Sequence, residues 1–211
     1  GASLHKIEGP RQAATEAAEE FVKERGLVYM SHNLSPYFSE GMKAASYEIV
    51  EVLEDGIDHV VLPVGNGSLL IGMVKGFQEL FEAGIIAKIP KFHGVQADAV
   101  RPVVAALNGE VWSHDDVLPT QASGIAVSKP PRLAEMVEAI KSTGGFGVTV
   151  SEESLTDWQT RLAASEGVFA EMTSAGAFAG LVKLIDSGVI DNDSNVCIPI
   201  TGSGLKEPLK K

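Results

Sequence analysis

Four residues, Gly65-Asn66-Gly67-Ser68, form the stretch of this chain best suited to hold a ligand. They follow an apolar run at residues 60–64, and a helical pattern starts directly after them, with apolar side chains three and four residues apart at Leu70, Met73, Val74, Phe77 and Phe81. Such a strand-to-helix turn directs free backbone N–H groups and the positive end of the helix dipole to one point, and glycine lets a ligand approach the backbone. This arrangement favours phosphate binding, although a tight turn without a ligand is an equally good interpretation of these residues alone.

The same turn differs from the common nucleotide-binding motifs. Leu70 stands where the third glycine of G-x-G-x-x-G belongs. A Walker loop requires a Gly-Lys pair followed by Ser or Thr, and this turn has none. A nucleotide-binding fold is therefore disfavoured, whereas a phosphate-bearing ligand is not.

A second glycine-rich turn, Thr201-Gly202-Ser203-Gly204, follows another apolar run, at residues 196–200. The carboxyl ends of parallel strands meet at one edge of a sheet, so the two turns can face one pocket. Thr201 would bring to that pocket a hydroxyl group that either donates or accepts a hydrogen bond. Two ordinary strand-exit turns remain the alternative.

The elements that must position these turns alternate along the chain. The sequence predicts strands at residues 27–30, 60–64, 92–95, 146–150 and 196–200. It predicts helices at residues 12–25, 41–53, 70–81, 100–107, 132–142, 152–164 and 174–186. Strands separated by helices predict an α/β fold whose mostly parallel sheet is flanked by helices on both faces.

Composition excludes several classes of function. The chain has 211 residues, of which 45% are hydrophobic, so a sizeable core can form. Its formal charge of −11 argues against nucleic acid or an anionic membrane as a partner, and no apolar run approaches the ~20 residues of a membrane span. A single Cys197, in an apolar run, indicates a buried thiol and a reducing, cytoplasmic location. The spacing of the five histidines predicts no metal site.

Six motifs occur here in the order found in fold type II pyridoxal-phosphate enzymes: PVGNGSLL, GVQAD, PTQASGIAVSKPPR, VTVSEESL, EGVFAEMTSAGAFAGL and ITGSGLK. The chain most resembles threonine synthase and the related threonine-dehydratase-like lyases, over essentially its whole length. The resemblance implies a tryptophan synthase β-like fold, with a remnant of the small domain at residues 1–36 and the large domain at residues 37–211. It also implies pyridoxal 5'-phosphate as cofactor and an amino acid as substrate.

The resemblance further implies which residues contact the cofactor. Gly65, Asn66, Gly67, Ser68 and Leu69 match the loop whose backbone amides hold the cofactor phosphate. Thr201 matches the hydroxyl residue that hydrogen-bonds the pyridine nitrogen, and Ser203 is a weaker candidate for the same pocket. Glu171 matches a family glutamate to which we assign a structural role.

The lysine that forms the Schiff base lies, in the resembled family, on the amino-terminal side of the region matched by Gly1. Lys43 matches a different family lysine, so we expect no catalytic residue in this chain and no activity from the chain alone. We therefore expect a carboxyl-terminal portion of an enzyme, which forms a homo-oligomer or associates with a companion amino-terminal half. A non-catalytic homologue that acts in binding or assembly is the competing interpretation.

Substrate choice is where the sequence departs from the resembled family. Phe38 replaces the arginine of the NPYR pattern, and Glu40-Gly41-Met42-Lys43-Ala44 replaces EGQKT. Loss of a guanidinium group that can hold a phosphate weakens the case for O-phosphohomoserine as substrate. A threonine or serine dehydratase, or an ammonia-lyase, therefore stays open beside the threonine-synthase-like reaction.

Overall fold

One four-stranded parallel sheet organises the fold in the computed structural model, which describes residues 1–9, 11–53, 56–113, 115 and 117–206. Its strands are β1 (His59–Pro63), β2 (Lys91–Ala97), β3 (Gly147–Val150) and β4 (Val196–Cys197). They lie in the order β3-β2-β1-β4. In the register of the sheet, Pro63 lies beside Val95, and Val60 lies beside Cys197. Both β1 and β4 therefore end at the same edge of the sheet.

Eight α-helices accompany the sheet in the described residues. They are α1 (Arg11–Arg25), α2 (Pro36–Met42), α3 (Ala44–Val52), α4 (Ser68–Glu82), α5 (Pro102–Asn108), α6 (Leu133–Ser142), α7 (Glu152–Glu166) and α8 (Met172–Asp186). None of these helices has the length and apolar character needed to cross a membrane. The alternation of strands and helices confirms the predicted α/β class.

Successive residues of β1 serve opposite faces of the sheet, because side chains alternate along a strand. Val60 and Leu62 are buried in the cluster that includes Phe77 of α4, whose ring meets Phe92 of β2 edge-on with centroids 5.7 Å apart. Val61 is buried in a second cluster, with residues of α7 and α8. The sheet is thus covered by helices on both faces, which explains the uninterrupted apolar run at residues 60–64.

The predicted helix at residues 41–53 is wrong as a single element. The structure has two helices there, α2 beginning at Pro36 and α3 beginning at Ala44. Proline suits the first turn of a helix, where no amide partner is needed. Both helices pack closely on α4, since a Cβ at Gly76 would lie only 2.8 Å from Ser46 Cβ, and one at Gly72 would overlap Met42. Because α2 packs at Gly72 and α3 packs at Gly76, the chain changes from one helix to the next at Lys43.

The predicted strand at residues 27–30 is also wrong, because these residues form no regular element in the structure. Val28 and Met30 are 80% and 83% exposed, so no described strand or core cluster covers these two side chains. The other predicted strands and helices are confirmed within a few residues, although β4 is only two residues long. Cys197 in β4 is partly buried, and this burial raises the pKa of its thiol.

Candidate cofactor site

The turn at residues 65–68 lies between the carboxyl end of β1 and the first residue of α4. Gly67 precedes the helix with φ 83° and ψ 1°, a left-handed conformation that favours glycine. The amide of Ile71 donates to the carbonyl of Gly67, the residue directly before α4, at 2.9 Å, and this is the first hydrogen bond of the helical pattern. The amides of Ser68, Leu69 and Leu70 therefore have no acceptor within α4 and can serve an anion.

The two glycines of this turn allow other parts of the protein to pack closely against it. A Cβ at Gly65 would lie 2.7 Å from the carbonyl oxygen of Gly124, and a Cβ at Gly67 would overlap the Met136 side chain. Met136 belongs to α6 and is fully buried. The space that both glycines leave at Cβ is therefore occupied by the 3₁₀ turn Ser123–Ile125 and by α6.

Gln96 of β2 holds the residue that precedes the turn. Its Nε2 donates to the carbonyl of Val64 at 3.0 Å, and its Oε1 accepts from the amides of Val103 and Val104 at 2.9 and 3.1 Å. The Val64 amide donates to the Val95 carbonyl at 2.9 Å. Because Gln96 is fully buried, these bonds are shielded from water and fix the turn to β2 and to the start of α5.

The side chains of Ser68 and Leu69 are engaged with the protein. Ser68 Oγ donates to the carbonyl oxygen of His32 at 3.2 Å, and Leu69 packs against the cluster around Val60 and Phe77. What these two residues can offer a phosphate is therefore their backbone amides. The side chain of Asn66 is partly exposed instead.

A cavity of about 200 Å³ lies beside Asn66. Its other described walls come from α1, from the segment Tyr29 to Leu34 and from the segment Ala126 to Pro131, and include Lys129. Thr201 is not among the described residues that line it. The cavity therefore opens on the first turn and leaves the second turn outside.

Thr201, at the start of the second turn, is held by Ser174. Thr201 Oγ1 lies 2.9 Å from Ser174 Oγ, and the Thr201 amide donates to the same Ser174 oxygen at 3.0 Å. Ser174 stands in the first turn of α8 and is fully buried, whereas Thr201 is exposed. The hydroxyl of Thr201 is thus held by Ser174 on the protein side and is accessible from solvent.

The first turn of α8 joins the two glycine-rich turns. Thr173 Oγ1 accepts the amide of Gly124 at 3.1 Å, and the carbonyl of Gly124 is the group that packs on Gly65. The neighbouring Ser174 holds Thr201. The structure therefore connects the two turns, at the shared edge of β1 and β4, through two adjacent hydroxyl residues whose role the spacing of the turns does not reveal.

Two other candidate residues contact the protein itself. Glu171 is 4% exposed, its amide donates to the Gly202 carbonyl at 2.9 Å, and its carboxylate forms an ion pair with Lys206. Ser203 Oγ accepts the Leu205 amide at 3.2 Å. Both residues stabilise the second turn, in agreement with the structural role assigned to Glu171. In the part of the chain that the structure describes, no group of three His, Cys, Asp or Glu side chains could hold a metal ion.

Residues 1–202 match the family model described as "Pyridoxal-phosphate dependent enzyme". Among curated proteins, threonine synthase from Methanocaldococcus jannaschii is 35% identical over 214 residues, which cover 99% of this chain and 52% of that protein. Threonine synthase from Mycobacterium bovis is 34% identical over 208 residues, covering 99% and 56% respectively. The chain thus spans about half the length of the curated relatives it matches.

Solved structures share the fold at lower identity. The processed form of threonine deaminase isoform 2 from Solanum lycopersicum superposes with a TM-score of 0.74 at 22% identity, covering 91% of this chain and 53% of that one. Serine racemase from Dictyostelium discoideum gives a TM-score of 0.74 at 19% identity, covering 96% and 61%. The architecture is that of these enzymes, and the predicted fold type is confirmed.

Proposed function

The chain belongs to the family of pyridoxal-phosphate dependent enzymes, and from this premise we propose that it holds the cofactor at its two glycine-rich turns as part of a threonine-synthase-like lyase. The observation that carries the proposal is the contact path from Gly65 through Gly124 and the start of α8 to Thr201. Because of that path, an anion site and an exposed hydroxyl belong to one rigid assembly.

The residues fit the two ends of pyridoxal phosphate. The amides of residues 65–69, together with the dipole of the 15-residue helix α4, would hold the phosphate. Thr201 would contact the pyridine nitrogen. When bound, the cofactor supplies an electron sink for elimination or replacement at Cβ or Cγ of an amino acid. A neutral hydroxyl at the ring nitrogen does not impose a positive charge there, which moderates that sink.

The lysine that binds the cofactor covalently is, in this proposal, not one of the lysines of this chain. Lys43, between α2 and α3, pairs with Glu79 of α4 at 2.7 Å, and Lys75 of α4 pairs with Glu40 of α2. Lys206 pairs with Glu171. Lys129 lines the cavity beside Asn66, so among the described lysines it is the alternative that an experiment must exclude. Without a covalent lysine, the chain alone would not turn over threonine, serine or O-phosphohomoserine.

A dehydratase-type reaction on an unphosphorylated amino acid is the second candidate. Phe38, at the position where related synthases carry an arginine, is 41% exposed and lies 5.6 Å from the His32 ring. The nearby guanidinium group of Arg132 is bound to Glu135 and to Ser39, so it does not replace the missing cation. These contacts support a substrate without a phosphate group.

We also propose that the chain associates with a second copy or with a companion polypeptide, and that it works in the cytoplasm. Val28, Met30 and Tyr37 expose 80–84% of their surface, and such apolar exposure favours contact with a second copy or with a companion polypeptide. The single, partly buried thiol of Cys197 suits work in the cytoplasm.

The phosphate turn is tested by charge substitution. Asn66→Asp places a carboxylate in the turn, and Asn192→Asp makes the same change in an exposed loop. Titration with pyridoxal phosphate should raise the melting temperature of the parent chain and of the Asn192→Asp control through mass action. In the Asn66→Asp variant the shift should shrink to a small fraction, because the new charge repels the phosphate. An equal shift in all three chains would contradict the proposal.

The lysine assignment is tested on the same samples. Borohydride reduction followed by peptide mapping should find no cofactor on any lysine of this chain. Cofactor fixed to Lys129 or to any other lysine of residues 1–211 would show that the assignment is wrong, while leaving the phosphate turn supported.

A further inference from the structure

Ser174 enters the function proposed above only as a link in the contact path, and it makes two hydrogen bonds to Thr201, the residue proposed to contact the cofactor ring. We propose that Ser174 is a positioning residue that orients the Thr201 hydroxyl as a hydrogen-bond donor toward the pyridine nitrogen of the cofactor. The inference rests on the proposed function, in which Thr201 meets that nitrogen.

Counting hydrogen atoms at Ser174 shows which of the two hydroxyl groups donates in the Ser174–Thr201 bond. A serine hydroxyl has one hydrogen to donate and can accept two, and Ser174 Oγ already accepts the Thr201 amide at 3.0 Å. If Thr201 also donated its hydroxyl hydrogen to Ser174, the Ser174 hydrogen would need another acceptor. Ser174 is fully buried, and no other hydrogen-bond partner of its Oγ is found among the described residues. An unmade bond at such a site is costly, so Ser174 donates to Thr201 Oγ1.

The direction of that bond leaves the hydrogen of Thr201 available. Thr201 Oγ1 lies 2.9 Å from Ser174 Oγ and belongs to an exposed residue, so its own hydrogen can point away from the protein. An unprotonated pyridine nitrogen is a hydrogen-bond acceptor and is the natural partner of this donor. A protonated nitrogen would instead compete for the oxygen and leave the Thr201 hydrogen to be satisfied elsewhere.

The start of α8 keeps the arrangement rigid. Thr173, the residue before Ser174, is 4% exposed and accepts the amide of Gly124 at 3.1 Å. The amide of Glu171 donates to the Gly202 carbonyl at 2.9 Å, beside Thr201. Ser174 therefore cannot follow Thr201 if the latter rotates. The consequence for chemistry is a ring nitrogen kept unprotonated by a preset donor.

The test uses the 211-residue chain with pyridoxal phosphate labelled with ¹⁵N in the ring. The nitrogen chemical shift, followed as a function of pH, reports the protonation of that atom independently of turnover. We expect Ser174→Ala to move the protonation equilibrium roughly tenfold toward the protonated nitrogen, the size of one lost hydrogen bond. Thr201→Val should produce a change at least as large. Adding Ser174→Ala to Thr201→Val should produce no further change, because Ser174 acts through Thr201.

Ser46→Ala is the matched control. Ser46 is also fully buried and donates one hydrogen bond, to the carbonyl of Met73 at 2.8 Å, but it lies on α3. Its variant should leave the ring nitrogen unchanged even if it lowers the melting temperature. If Ser174→Ala behaves like Ser46→Ala while Thr201→Val moves the nitrogen, the inference is wrong and the proposed function stands. If Thr201→Val moves nothing, or the parent chain binds no cofactor, both fail.

A measurement without cofactor examines the geometry itself. Hydrogen exchange at the Thr201 amide should be slow in the parent chain and in Ser46→Ala, and at least tenfold faster in Ser174→Ala, because the acceptor oxygen is removed. Unchanged exchange in Ser174→Ala would overturn the inference regardless of cofactor binding.

Discussion

Among single residues, the buried pair His59 and His93 is the feature that sequence spacing does not reveal. Their rings lie in neighbouring strands, with His59 Nδ1 2.9 Å from His93 Nε2. The Phe146 amide donates to His93 Nδ1 at 3.2 Å, so His93 carries its hydrogen on Nε2 and donates it to His59. The two residues are 34 positions apart and meet only because of the register between β1 and β2. A histidine pair of this kind becomes visible once strand register is known.

This pair should make the folded chain sensitive to acid. Burial lowers the pKa of His93 from 6.5 to about 4 and also lowers the pKa of His59. Because the unfolded chain then binds protons more readily, stability is greatest above about pH 6.5 and falls as the pH decreases toward about 4. His93 alone should account for roughly 3 kcal/mol of that loss.

Urea unfolding at several pH values checks this expectation. His93→Gln keeps a donor and an acceptor but cannot take up a proton, so the slope of unfolding free energy against pH between 6.5 and 4.5 should decrease. His5→Gln, at an exposed position, should keep the parent slope. An unchanged slope in His93→Gln would assign the acid sensitivity to other groups, among them Asp58, whose charge acts on His59 and whose pKa is lowered by its hydrogen bond with Lys88.

At the scale of elements, the sequence predicts the secondary structure of each segment more accurately than its packing partners. The strand, turn and helix around residues 60–82 follow from an apolar run and a spacing of three and four, both local signals. The role of Gly65 and Gly67 does not, because the neighbours that fill their Cβ positions, Gly124 and Met136, lie roughly 60 to 70 residues further along the chain. Ser174 was missed for the same reason. Gln96 differs from these residues, because a polar side chain between the apolar Val95 and Ala97 of β2 is a local signal in the sequence.

The packing of the turn can be measured by comparing two glycines. Gly67 and Gly188 have similar backbone angles, φ 83° and 72°, but a Cβ at Gly188 would meet nothing within 4 Å. Gly188→Ala should therefore cost about 1 kcal/mol of unfolding free energy, from the backbone alone. Gly67→Ala should cost about 2 kcal/mol more, because Met136 must move.

A double-mutant cycle separates the two contributions. In a Met136→Ala background the cost of Gly67→Ala should decrease toward that of Gly188→Ala, since the overlap is removed. Equal costs for Gly67→Ala with and without Met136 would show that packing against α6 does not constrain the turn.

For the whole molecule, the predicted α/β architecture, fold type and cofactor family hold, and so does the helix at residues 12–25, whereas the irregular conformation of residues 27–30 does not follow from the sequence. A strand exists only with a partner, and residues 27–30 have none among the described residues. The division into residues 1–36 and 37–211 stays a prediction. The described part of this segment carries α1 and several apolar side chains in contact with water, with Leu4 94% and Val28 80% exposed. Such exposure is the molecular basis of the proposed association.

Light scattering at low micromolar concentration should therefore find a mass above the 22.2 kDa of one chain. Because the formal charge of −11 opposes contact between copies, the associated fraction of a self-assembling chain should increase with ionic strength.

Val28→Lys combined with Met30→Lys should shift the chain toward monomer by placing charge in the apolar contact. Val111→Lys changes a residue that is 97% exposed outside this segment and should leave the mass unaltered. A parent chain that stays monomeric at every salt concentration would leave a companion polypeptide as the partner, and a monomer that also fails to bind an apolar dye would contradict the association altogether.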